Sequence, residues 1–151
     1  MKKTPNAEWR RVREELDDQY RANGKTSNAQ REKDARFDLE ERLLEFSARI
    51  IEIVDALPNT RAANHIAGQV LRCGTSPYGH HGEVEAAESR KDFIHKLSVC
   101  LKELRETRRW LRLIRRATFL AETQIAPVLL ETEQLVKIFF TSVRTVEKNA
   151  K

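Results

Sequence analysis

The 151-residue chain is poor in glycine, proline and cysteine, with five, four and two of them. An all-β domain draws on glycine and proline for its many turns, so that class is excluded, and a charged fraction of 34% suits long helices with wet outer faces. Cys73 and Cys100 have no Cys or His partner at a metal-site spacing. That excludes a disulfide framework and a zinc finger, and reads as buried, reduced thiols. No apolar run approaches the ~20 residues of a membrane span, and no apolar stretch follows Lys2 and Lys3 as an export signal requires. A soluble, cytoplasmic, all-α protein without membrane contact is expected, of a size to bury one core unaided.

Positive charge is abundant, and it is concentrated. Residues 90–116 carry a net +7 against +5 for the whole chain. They lie in SRKDFIHKLSVCLKELRETRRWLRLIRRA, Ser89 to Ala117, which holds no Gly or Pro and reads as one helix.

Three further helices accompany it. Leu39, Leu43, Phe46, Ile50, Ile53, Val54 and Leu57 recur at three- and four-residue steps until Pro58 ends the run. Residues 60–87 repeat the period through Ala62, Ala63, Ile66, Ala67, Val70, Leu71 and Gly74, a small-residue face suited to close helix approach, with a kink or break expected near Pro77. Gln124 to Lys148 buries Val128, Leu135, Val136, Phe139, Val143 and Val146 and admits Pro127 early in the helix. Short joints make this an antiparallel up-and-down four-helix bundle over residues 36–151. Residues 1–35 are polar apart from Trp9, Val12, Leu16 and Tyr20, and form an N-terminal arm or short helix outside it.

On a wheel of about 100° per residue, Phe93, Leu97, Cys100, Leu101, Leu104, Leu111 and Ile114 share one sector, the core face of the basic helix. Lys91, Lys102, Arg105, Arg109, Arg112 and Arg116 line one flank, and Asp92, Glu103 and Glu106 the other. Trp110 and Leu113 fall outside the core sector, so something is expected to cover them. A charged helical face is by default a solvated one. Two functions compete with that default. An acidic edge with Trp110 suits a head-to-tail contact between protomers, and a stripe of guanidinium forks suits phosphates.

The strings LLEFSARIIEIVDALP, QVLRCGTSPYG, SRKDFIHKL, LKELRET, RWLRL and LVKIFFTSVRTVEKN together resemble the four-helix bundle proteins encoded in intervening sequences of bacterial large-subunit ribosomal RNA genes. The resemblance spans Phe37 to Asn149 and implies a cytoplasmic bundle that assembles as a homopentamer, with no catalytic residue or cofactor. It also implies kinship with the accessory protein of diversity-generating retroelements, a basic pentamer that binds a reverse transcriptase and nucleic acid. Where similar proteins show an Asn-Tyr pair, this chain has His80 and His81.

No enzymatic constellation emerges. His80 and His81 diverge by about 100° on a helix and do not converge on one metal, Asp92 with His95 is a lone acid–histidine pair, and neither cysteine has a base at a recognisable spacing. The expectation is a non-enzymatic oligomer without metal or cofactor. Its phosphate-binding residues would be Lys102, Arg105, Arg109, Arg112 and Arg116, with Asp92, Glu103, Glu106 and Trp110 at a subunit interface. RNA or DNA and a reverse transcriptase are the candidate partners, and a scaffold whose arginines serve assembly only is the alternative.

Overall fold

The computed structural model describes residues 39–149, and the N-terminal arm expected over 1–35 lies outside them. Helices α1 (Leu39–Ala56), α2 (Arg61–Glu85), α3 (Arg90–Arg116) and α4 (Glu122–Lys148) follow one another through joints of a few residues. Consecutive helices pack side by side, and α4 closes back on α1, which gives the expected four-helix bundle.

The helix ends are set by local chemistry. Thr60 Oγ1 accepts the Ala63 N–H at 3.2 Å to start α2, and Ser89 Oγ accepts the Asp92 N–H at 3.1 Å to start α3. Asp92 in turn accepts the Glu88 N–H at 3.2 Å, a reciprocal cap that fixes the entry into the basic helix. At the other end of α3 the Phe119 N–H reaches Ile114 O at 3.3 Å and the Thr118 N–H reaches Arg115 O at 3.1 Å, the paired bonds of a Schellman turn. Thr118 therefore sits at φ 56°, a left-handed conformation that disfavours a β-branched residue. Thr118→Gly should stabilise the fold by about 1 kcal/mol and raise the melting temperature by a few degrees. A lower melting temperature in a thermal scan would mean that the threonine hydroxyl, which bonds Ala117 O at 2.7 Å, outweighs the backbone strain.

The core follows the periodicity closely in α3 and α4. Every residue assigned to the core face of α3, Phe93 through Ile114, is buried, as are Val128, Leu135, Val136, Phe139, Val143 and Val146 of α4. In α1 Leu43, Phe46, Ile50 and Ile53 are buried, while Leu39 and Val54 toward its ends, and Leu57 just beyond it, are only half-buried. A buried arginine joins this helix to α4. Arg42 donates from Nε to Glu131 Oε1 at 2.6 Å and from Nη2 to Glu131 Oε2 at 3.0 Å and Gln134 Oε1 at 2.8 Å, a bidentate pairing across the bundle's least extensive seam.

The structure refines the expectation for α2 at three points. The helix runs through Pro77 without a break. Pro77 is buried, its carbonyl accepts the Cys100 thiol at 3.8 Å, and Thr75 and Ser76 bond back to Leu71 O and Arg72 O at 2.6 Å, so packing and side-chain bonds hold the turn that proline weakens. The buried stripe is Ala63, Ile66, Val70, Cys73, Gly74, Pro77, His81 and Val84, which leaves Ala62 and Leu71 on the wet side. Thirdly, within the small-residue face the tight approach between helices is at Gly74, while Ala67 is half-buried. A Cβ on Gly74 would lie 2.7 Å from Ile50 Cγ2.

Candidate nucleic-acid interface

Five cations of α3 stand on one flank. Lys102, Arg105, Arg109, Arg112 and Arg116 are all exposed, and among the described residues none pairs with a carboxylate. Their spacing of three and four residues makes a ridge about 21 Å long, at ~1.5 Å per residue. The ridge borders α4. The Arg105 guanidinium lies 5.7 Å from the centroid of the Phe140 ring, and Phe140 is 47% exposed. Lys137 and Arg144, three residues before and four after Phe140, are exposed as well and extend the cationic strip onto α4. Toward the C-terminal end of α3, Arg109, Arg112 and Arg116 share an open depression with Leu113, Leu129 and Glu133.

The acidic flank is occupied differently. Arg72 of α2 reaches Glu103 at 3.2 Å and makes a short contact with Glu106, and Glu106 chiefly, then Glu103, raises the Arg72 pKa. Asp92 holds Lys96 at 2.9 Å. That hydrogen bond first, and the Glu88 N–H second, keep the Asp92 carboxyl below its ordinary range. Trp110 is half-buried against the chain's own α2, its indole N–H donating to Glu106 Oε1 at 3.3 Å and its ring meeting His65 edge-on at 6.3 Å. Part of the cover expected for Trp110 thus comes from within the subunit, whereas Leu113 remains 43% exposed.

The remaining chemical groups serve the fold. His81 is buried edge-on to Phe139 with centroids 6.4 Å apart, and His80 lies 3.7 Å from Glu83 on the surface. Among the described residues no group of three or more His, Cys, Asp or Glu is placed to hold a metal ion, and no helix is long and apolar enough to cross a membrane. Burial pushes the Cys73 thiol up to about 11 and the Cys100 thiol up to about 12. Thiolate is the reactive form, so a maleimide near neutral pH should label neither cysteine in the native protein and both in denaturant. Labelling of the folded protein at either position would contradict this burial.

Phe140, Lys137 and Arg144 were not legible as site residues from α3 alone. The signal was present in LVKIFF, where Phe140 follows Phe139 and so must leave the core face that its neighbour takes.

Comparison with known proteins decides the lineage. The family model described as 23S rRNA-intervening sequence protein matches residues 36–141. The chain belongs to that family. A crystal structure of a protein of unknown function from the S23 ribosomal protein family of Bacteroides thetaiotaomicron is 33% identical, with a TM-score of 0.65, over 69% of this chain and 96% of that one. Proteins with curated functions give no match. For this member of the intervening-sequence protein family, the match runs through all of the ridge and most of α4.

Proposed function

We propose that the protein is a non-enzymatic, oligomeric four-helix bundle whose α3–α4 flank engages nucleic acid, or a nucleic-acid-handling partner such as a reverse transcriptase. Lys102, Arg105, Arg109, Arg112 and Arg116 contact phosphates. One contrast carries this reading. Arg42, Arg72, Lys96 and Arg115 each hold a carboxylate of the chain, whereas the five ridge cations hold none among the described residues. An exposed row of unpaired guanidinium groups attracts phosphate oxygens and releases their condensed counterions on binding.

Exposed Leu44, Ile51, Leu71, Leu113 and Leu130 support self-association, which the family resemblance puts at five subunits. Asp92, Glu103, Glu106 and Trp110 would enter that interface only in competition with Lys96 and Arg72, which already hold the three acids. A second reading, in which the arginines serve assembly alone, draws on Leu113 standing exposed among them. Reversing Arg105, Arg109 and Arg112 to glutamate separates the two. Lost RNA retention with unchanged oligomer mass supports phosphate binding, and a dissolved oligomer supports assembly.

A further inference from the structure

We infer that Phe140 is a stacking platform for an unpaired base, so that the nucleic acid suited to this flank is single-stranded. This rests on the phosphate-binding reading of the α3 ridge. Phe140 is an aromatic ring left 47% exposed, on the helix beside a row of cations, with Lys137 and Arg144 one turn to either side. Burial does not require it there, because Phe139 fills the core position at 0% exposure. The Arg105 guanidinium lies over the ring at 5.7 Å. A guanidinium and a nucleobase are both flat groups that favour an aromatic face. When a strand arrives, Arg105 turns from the ring to a phosphate and a base takes its place on Phe140.

The spacing agrees with that exchange. Ridge cations recur every ~5 Å along α3, from ~1.5 Å per residue, so Lys102 and Arg109 lie one turn to either side of Arg105 to hold the strand while Arg105 leaves the ring. A duplex keeps its bases inside, offering this ring nothing to stack on. The ridge cations bind the phosphates of either form, and Phe140 discriminates between them.

Two variants test this in the full-length protein, using a fluorescent single-stranded RNA and a duplex of equal length in anisotropy titrations, with oligomer mass followed by light scattering. Phe140→Leu keeps a bulky apolar group but has no π-face. It should bind the single strand about 5- to 140-fold more weakly, given ~1–3 kcal/mol per stacked base and 1.4 kcal/mol per tenfold, while duplex binding and oligomer mass stay unchanged. Phe140→Trp should bind the single strand as the wild type does, and lose more indole fluorescence on binding than the wild type, whose own tryptophans are Trp9 and Trp110. The inference is overturned if Phe140→Leu binds the single strand at wild-type strength, loses duplex binding equally, or changes oligomer mass. If the wild type retains neither RNA, or retains RNA undiminished after glutamate reversal of Arg105, Arg109 and Arg112, it is the ridge reading that fails.

Discussion

Replacing Arg105, Arg109 and Arg112 together with glutamate should weaken single-stranded RNA binding by on the order of 10²-fold at 0.1 M salt, and leave the folded bundle and its oligomeric mass as they are. The estimate follows from counterion release. Each phosphate contact on a single strand contributes about 0.7 to the slope of log affinity against log salt, so three lost contacts at 0.1 M remove roughly 5-fold each before any repulsion by the new acids. The fold should tolerate the change because all three side chains are exposed and hold no acid among the described residues. Arg105 does lose its contact with Phe140, at a cost of about 0.5–1 kcal/mol for an exposed cation–π pair, small beside the ~5–15 kcal/mol of a typical domain. Circular dichroism and light scattering on the variant check both points. A variant that binds RNA like the wild type would remove these positions from the interface.

The second large effect is on stability. Gly74→Leu should cost about 3 kcal/mol, the upper end of what overpacking of a filled core produces. Even the first added carbon has no room, since it would lie 2.7, 2.9 and 3.1 Å from three side-chain carbons of Ile50, itself at 0% exposure and β-branched, so unable to swing away cheaply. Gly74→Ala should therefore destabilise by about 1–2 kcal/mol, the clash exceeding the ~0.5–1 kcal/mol that alanine gains over glycine in a helix. At Gly68, Gly79 and Gly82 an added Cβ meets nothing within 4 Å. The same substitution there should raise stability by about 0.5–1 kcal/mol each. One helix thus holds a glycine demanded by packing and three that are not, and urea unfolding of the four alanine variants reads the difference as a change of sign. A stabilising Gly74→Ala would show that α1 and α2 can move apart.

What the sequence disclosed depends on how each helix is used. Helices α3 and α4 bury broad stripes of large side chains, and a 100° wheel identified those residues because no other arrangement hides Phe93, Leu97, Leu104 and Leu111 together. In α2 the buried stripe includes Ala63, Cys73, Gly74, Pro77 and His81, whose side chains weigh little in a hydropathy pattern. The stripe was accordingly drawn a little off its axis, toward Ala62 and Leu71. At Pro77 local rules allow a kink or a break, and burial against α3 accompanies a helix that stays continuous. Arg42 is of a residue type that is mostly exposed, yet it sits between Leu39 and Phe46 on the apolar stripe and is buried. Its partner Glu131 lies 89 residues away, where no local pattern reaches.

The candidate site divided along the same line. The basic flank was legible because it belongs to one helix and has a regular spacing. Its contact with Phe140, and the capture of Glu103 and Glu106 by Arg72, are relations between helices, and these need the bundle's lateral order as well as each helix's own period. Among the described residues the ridge stays unpaired in part because Glu103 and Glu106 of its own helix turn to Arg72 of α2.

The salt dependence of single-stranded RNA binding by the wild-type protein addresses the phosphate-binding ridge most directly. Five phosphate contacts predict that log affinity falls against log salt with a slope of about −3.5 per subunit, reduced to about −1.4 when Arg105, Arg109 and Arg112 are glutamate. A slope near zero in the wild type, or the same slope in both proteins, would contradict a ridge that binds phosphates.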